Sequence, residues 1–426
     1  MTDARSPAPP LRIVVALGAT YALYGVLMNS VGTVILQSIA SFAVSKTAGS
    51  ILEGCKDLTC AAVSFLLASS LPRFGYRRAL VWGLLLLGAG CAAMPVARSF
   101  GMTALSFVIT GATFGLSKVV VYGTIGLIAP EPHRHASLTG LIEGVFMVGV
   151  LGGYWLFGAF INPDARFAWL RVYWLLAGCC AALAALWAVS PLDETPLRQR
   201  EGGSMGAEFV AMLTLVRQPV VRAFLLCAFL YVLIEQGLGT WMPTFNHEVL
   251  RLSPVLSVEV ASVYAGSLCV GRISAGLLLR RVSRFGFVIS CTVAMAPLVL
   301  IALAATAQAG LGPMVERWQA IAPSALILPL IGLLLAPIYP TINSVVLSAL
   351  PVERQAAMTG LIVVFSAIGG TLGSFLTARL FAVFGGRVAV AGVLVPVALL
   401  LASLGLLRRL SHAARPASGE PAPEPA

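Results

Sequence analysis

Apolar runs of 18 or more residues recur from one end of this chain to the other, a pattern that leaves few folds open. A helix needs about 20 residues to cross a bilayer. Lipid offers no partner to a free backbone amide or carbonyl, so a crossing segment must pair those groups within itself, as a helix does. Charged residues make up 11% of the chain and hydrophobic ones 58%, whereas a soluble domain has about a quarter of its residues charged. Water cannot be the solvent for most of this surface. The sequence therefore predicts an all-α membrane protein with twelve transmembrane helices. Six are expected at 12–41, 50–71, 79–97, 101–128, 137–161 and 170–189. The other six are expected at 220–245, 254–279, 286–307, 321–349, 355–384 and 387–407.

Between spans six and seven lies the one long polar stretch, SPLDETPLRQREGGSMGAEF, with charges of both signs and a Gly-Gly pair. It divides the chain into an N-terminal segment (1–11), a six-helix bundle (12–189), a linker (190–219), a second six-helix bundle (220–407) and a tail (408–426). The Pro/Ala-rich tail is expected to be disordered. The first apolar run is too long for a cleavable signal and lacks a small-residue cleavage site. Of the 28 Lys and Arg residues, 17 fall on the side of the termini and eight on the other, with Lys56, Lys118 and Arg272 inside spans. Positive charge collects in cytoplasmic loops, so both termini and the linker are expected in the cytoplasm. The net charge of +11 is then explained without a nucleic-acid partner. All eight cysteines lie in apolar runs with no histidine at metal-ligand spacing. They read as small buried residues, not as disulfides or a metal site, and no cofactor is implied.

Residues 136–153, ASLTGLIEGVFMVGVLGG, return 220 positions later as AAMTGLIVVFSAIGGTLG, residues 356–373. Thr139 meets Thr359, Gly140 meets Gly360, Gly149 meets Gly369 and Gly153 meets Gly373. The two phrases open spans five and eleven, which makes them equivalent members of two pseudo-symmetric bundles. A parallel repeat about an axis along the membrane normal is how one large transporter architecture is built. Gly149 and Gly153, like Gly369 and Gly373, are four apart and leave one helix face bare for close packing. Where the first copy carries Glu143, the second has Val363.

The loop ASSLPRFGYRR between spans two and three resembles the G-x-x-x-D-R-x-G-R-R loop of the major facilitator superfamily. It matches at Arg73, Gly75 and Arg78, with Arg77 beside them, while Ala68 and Pro72 stand at the first glycine and the aspartate. The second-half counterpart, GRISAGLLLRRVSR, contains Gly271, Arg272, Gly276, Arg280 and Arg281, with Arg280 where the aspartate would sit. Span count, linker and repeat extend the resemblance over nearly the whole chain. It implies a central cavity lined by spans one, two, four and five and their counterparts, with these loops taking part in conformational switching. Two further stretches, FLYVLIEQGLGTWMPTF in span seven and LLAPIYPTINSVVLSALP in span ten, resemble the fucose/glucose–proton symporter branch. The charge pattern departs from that branch: Gly32 replaces an aspartate, Lys118 a glutamate and Glu143 an asparagine.

A charge near the bilayer centre costs about 2.5–3.5 kcal/mol on insertion scales. Lys118 lies about 15 Å from the nearer end of span four at 1.5 Å per residue, beyond easy snorkelling. Glu143 enters span five from the same side. Both are expected to face the cavity, paired or competing for substrate. Glu53, Lys56 and Asp57 are spaced i, i+3 and i+4 and share one face of span two. That face is expected at the outer mouth, with Asp57 or else Glu143 taking the proton and Glu53 and Lys56 in the gate. Glu235 in span seven, by resemblance, occupies a cavity or gating position. Neutral cavity candidates are Asn29, Gln37, Tyr122, Tyr154, Trp241, Tyr339 and Asn343. Pro337 and Pro340 interrupt span ten and free backbone carbonyls there.

These features point to a secondary transporter in the plasma (inner) membrane, acting as a monomer on a small-molecule substrate with protons as coupling ion. A drug or metal-chelate efflux pump and a transport-dead sensor are the alternatives. A phosphate-cradling G-x-x-x-x-G-K-[ST] loop is absent, so ATP does not drive the step directly. His133, His135, His247 and His412 fall in loops or tail and form no catalytic constellation, so an intramembrane enzyme is not expected. Replacing Lys118 by Ala, or Glu143 by Gln, is expected to abolish transport measured in vesicles, with wild-type rates in both variants refuting a cavity role for the pair.

Overall fold

Helices follow the apolar runs nearly one for one. The computed structural model describes residues 11–67, 71–129, 131–195, 205–279, 281–307, 312–348, 350 and 352–413. Arg280 and the tail beyond Ala413 lie outside these residues. Eleven helices among the described residues are long and apolar enough to cross a membrane. The remaining span, Ile51–Leu67, has 17 residues and holds Glu53, Lys56 and Asp57, which mark it as a lining helix. Prolines open several spans: Pro132 begins span five (Pro132–Phe160), Pro219 span seven (Pro219–Glu248) and Pro254 span eight (Pro254–Leu278). The first turn of a helix has no use for the missing N–H, and the ring presets φ. Ser99 caps span four (Phe100–Ile128) by accepting from the Met102 amide at 3.2 Å. His133 and His135 fall in the first turns of span five and His247 in the last turn of span seven, inside helices where loops were expected.

Three spans are interrupted along their length, two of them for different reasons that the residues show. In span ten the helix stops at Leu335 and restarts at Ile338, bracketing Pro337 as predicted. Thr341 Oγ1 donates at 2.7 Å to the Pro337 carbonyl, which also accepts the Thr341 amide at 3.4 Å. Span one breaks at Ser30 into Leu11–Asn29 and Val31–Phe42, and no proline is involved. The Ser30 hydroxyl donates to the Leu27 carbonyl at 2.8 Å, a local bond that competes with the helical ladder. Span twelve comprises Gly386–Ala391 and Leu394–Ala413, so its helix continues through residues 408–413. The linker contains a helix, Met205–Val216, whose Met212 packs over Gly360 of span eleven (Val352–Phe384).

The repeated glycines do the same work twice. A β-carbon at Gly149 would overlap the Ala22 carbonyl of span one, and one at Gly153 would press on the Val26 backbone. In the second half, added β-carbons at Gly369 and Gly373 would collide with the Phe229 and Leu233 carbonyls of span seven. Spans one and five, and likewise seven and eleven, therefore approach backbone to backbone, as small-residue helix interfaces do in membranes. Buried tryptophans pin each bundle through their indole N–H. Trp187 donates to Thr20 Oγ1 and Trp169 to Ser41 Oγ, each at 3.0 Å, because a buried indole needs a partner.

Overpacking a tight core costs about 1–3 kcal/mol. Gly149→Leu is expected to lower the thermal midpoint in detergent, whereas Gly144→Ala, in open space, leaves it unchanged. A silent Gly149→Leu would contradict the close approach.

A candidate substrate cavity

Midway along the spans, between the two bundles, lies a cavity of about 340 Å³. Its walls come from spans one, two, four and five on one side and spans seven and eight on the other. Six charged side chains line it: Lys56, Asp57, Lys118, Glu143, Glu235 and Arg272. Asn29, Gly32, Tyr122 and Tyr154 line it as well. The break at Ser30 lies between Asn29 and Gly32, so the interruption in span one abuts this space.

One end of the cavity is closed by a buried charged layer. Lys56 Nζ stands 2.8 Å from Glu53 Oε1 and 2.9 Å from Asp57 Oδ1. Glu53 is 0% exposed and Lys56 2%, so both are sealed within the layer. The other Glu53 oxygen accepts a hydrogen bond from Thr240 Oγ1 at 2.6 Å, joining the two bundles. Farther along, Lys46 pairs with Glu248 at 3.0 Å. Trp155 stacks on Trp318 with centroids 5.8 Å apart. All of these lie at the end of the bundle remote from Leu11 and Ala413. Toward the other end, Leu58 and Phe65 of span two stand opposite Leu361 and Ile368 of span eleven, across an apolar recess of about 390 Å³.

The two walls hold their charges differently. Lys118 and Glu143 both line the cavity but do not pair: among the described residues no carboxylate lies within 4.0 Å of Lys118 Nζ. Its ammonium sits 5.5 Å from the Phe114 ring centroid, one helical turn back. One turn ahead, the Tyr122 hydroxyl donates to Glu143 Oε1. On the opposite wall Arg272 stands 3.5 Å from Glu235, which also accepts from the Tyr231 hydroxyl at 3.0 Å. The Tyr264 hydroxyl donates to the Glu235 backbone carbonyl at 3.1 Å. Arg272 further reaches across the bundles to Met147 Sδ at 3.5 Å. Sequence reasoning grouped Arg272 with the loop motif. Its depth in a 25-residue helix was the available signal, since an arginine there needs water or a counter-charge.

Four neutral candidates fall outside the lining. Trp241 is buried, its Nε1 donating to the Ser374 carbonyl at 3.0 Å and to its hydroxyl at 3.1 Å. Tyr339 stacks on Tyr231 at 5.1 Å and bonds to Ser366 at 3.1 Å. Gln37 is buried in span one, and Asn343 is half-buried in span ten. Spacing could not separate these from cavity positions, because packing between spans decides which face looks inward. The lining residues Tyr21, Gln236, Thr240 and Tyr264 carried no distinguishing sequence signal.

The loop between spans two and three borrows its acid. Pro72 stands where an aspartate was expected, and Glu194 from the start of the linker takes that place. Its Oε1 accepts from the Arg77 amide at 2.6 Å, and its other oxygen crowds Gly75, whose φ is +97°. A carboxylate there satisfies a free amide at the N-terminus of span three (Tyr76–Ala97) and complements the helix dipole. The neighbouring Asp193 is held below the usual carboxylate range by the Thr195 hydroxyl and amide. Arg73, Arg77 and Arg78 surround this contact. In the second half Gly271 packs against the Leu333 backbone of span ten, while Gly276 and Arg281 are exposed.

A family model described as Major Facilitator Superfamily matches residues 17–374. No curated protein sequence matches the chain. Among solved structures, the chain is similar to a bacterial homologue of the human lysosomal transporter Spinster in an inward-facing, unoccupied conformation, at 15% identity and TM-score 0.76, covering 96% of this chain and 99% of that one. It is similar to a D-xylose–proton symporter at 14% identity and TM-score 0.70, over 94% and 97% of the two chains. FucP in the outward conformation matches at 15% identity and TM-score 0.60, over 94% and 98%.

The Glu53–Thr240 bond makes a direct prediction. A hydrogen bond to a charged group contributes about 1.5–3 kcal/mol, and each 1.4 kcal/mol is about tenfold in an equilibrium. Thr240→Val is expected to shift the bundles toward opening at the remote end by about ten- to hundredfold. Spin labels on Ser45→Cys and Val383→Cys, in a background freed of native cysteines, would report this as a longer distance population.

Proposed function

The chain belongs to the Major Facilitator Superfamily and is by family a multi-pass membrane transporter, and from that premise we propose that it carries a small organic anion or zwitterion by proton-coupled alternating access. The observation that carries this reading is a cavity of about 340 Å³, closed at one end, in which Lys118 is left without a carboxylate among the described residues. That volume is at the small end of ligand pockets, which run from about 300 to 1,000 Å³. An ammonium half-buried deep in a span without a counter-ion is costly, and an anionic solute entering from water supplies one. Glu143, held by Tyr122 one turn away, is placed to meet a cationic group on the same solute.

Proton coupling is assigned to Asp57. The Glu53–Lys56–Asp57 layer contains two acids and one base, so one added proton neutralises it. Asp57 lines the cavity, while Glu53 is sealed behind it. Protonating Asp57 leaves Lys56 to Glu53 alone, which strengthens the ion pair of the carboxylate that Thr240 holds across the bundles. A proton in the cavity thereby acts on the contact that closes the far end. With the termini on the cytoplasmic side, as the Lys/Arg distribution supports, the charged layer closes the cavity toward the outside. The protein works as a monomer, since each bundle pair encloses a complete cavity.

Purified protein in proteoliposomes is expected to accumulate labelled organic acids down an imposed proton gradient, and a protonophore to abolish this. Asp57→Asn is expected to keep solute exchange under counterflow while losing gradient-driven accumulation. Accumulation by Asp57→Asn equal to wild type would remove Asp57 as the carrier, and uptake indifferent to the gradient would remove proton coupling.

A further inference from the structure

The cavity wall that carries Lys118 is also an aromatic surface. Tyr21, Phe114 and Phe146 form one cluster, with centroids 6.1 Å apart for Tyr21–Phe114 and 5.8 Å for Tyr21–Phe146. Phe114 and Phe146 stack at 5.9 Å with planes 19° apart. Tyr122 meets Tyr21 edge-on at 6.2 Å, and Tyr264 faces the cavity from the other bundle. The Lys118 ammonium stands over the Phe114 ring, at the edge of this cluster. We propose that the transported solute is a planar aromatic carboxylate, its acid group on Lys118 and its ring against Phe146 and Tyr21. This rests on the anion reading above and adds the shape of the body to the charge of the head.

The polar groups present fit this solute better than a polyhydroxyl one. Each hydroxyl of a sugar needs a partner in a dry site, because an unpaired one costs more than a hydrogen bond gains. Of the cavity's seven neutral side-chain donors, four are already engaged, among them Tyr122 by Glu143 and Tyr264 by the Glu235 carbonyl. Asn29 Nδ2 donates to the Gly25 carbonyl at 3.2 Å, and Thr240 is bound to Glu53. An aromatic ring asks for none of these. It presents a positive edge and a negative face to neighbouring rings, which attract it beyond simple area burial.

Calorimetric titration of the purified full-length protein in detergent tests this with benzoate, cyclohexanecarboxylate and glucose as probes. The two acids share a charge and a size and differ in planarity and aromaticity. Benzoate is expected to bind more tightly than cyclohexanecarboxylate by about two- to tenfold, a margin typical of aromatic contacts. Phe146→Leu is expected to erase that ratio, and Lys118→Gln to weaken both acids about tenfold or more. Equal binding of the two acids would overturn the aromatic inference and leave the anion reading standing, as would a ratio that persists in Phe146→Leu. Binding of glucose with neither acid bound would overturn both.

Discussion

A charged side chain inside a bilayer has two stable surroundings, a counter-charge or water. The architecture of this protein can be followed from how its buried charges divide between them. Glu53 and Lys56 take the first, in a layer that also binds Asp57 and reaches Thr240 of the opposite bundle. Lys118 takes the second and lines an enclosed space. Because the paired layer joins the bundles, it also makes that space a blind-ended cavity. Breaking a buried pair by removing one partner typically costs about 3–5 kcal/mol, so the layer is both a seal and a point of sensitivity. With the proton coupling proposed above, a proton at Asp57 would act where the seal is made.

The duplicated scaffold explains how such a cavity can be held firmly and still move. Within each bundle the matching glycines bring helix backbones into direct contact, span five on span one and span eleven on span seven. Between the bundles Gly32 also meets the Thr240 backbone, but the side-chain contacts are polar or stacked: an ion pair from Lys46 to Glu248, hydrogen bonds from Thr240 to Glu53 and from Arg272 to Met147, and the stacked Trp155 and Trp318. Tight packing within halves and replaceable polar contacts between them is what rigid-body rocking requires. The two copies have diverged where the chemistry sits. Glu143 faces the cavity in span five, and its counterpart Val363 in span eleven belongs to a helix that contributes nothing to the lining.

The loop at the other end shows the same physics carried out with different residues. A helix N-terminus with free amides favours an anion, and the sequence of the loop itself has none to offer at Pro72. Glu194 supplies it from the linker, which ties the start of the linker to the start of span three. The two bundles are thus connected through a segment anchored at a helix that moves with the first of them.

Much of the fold was legible before any coordinates. Run length and the want of backbone partners in lipid determine helices and their number, and the proline pair marks the break in span ten. The four-residue glycine spacing marks the close interfaces. Depth within a span singled out Lys118 and Glu143 without reference to a structure. What spacing cannot convey is which way a helix is turned, and that is decided by packing against neighbours distant in sequence. Hence Trp241 and Tyr339, polar and mid-span, proved to be packed within their own bundle, while Arg272 and Thr240 came to the cavity and its seal. The failure of Lys118 to pair with Glu143, the transfer of the loop's acid to Glu194, and the sealing of Glu53 behind Asp57 are all outcomes of contact between separate helices. One chain position cannot encode them, because each depends on the free energy of a partner that the sequence places tens or hundreds of residues away.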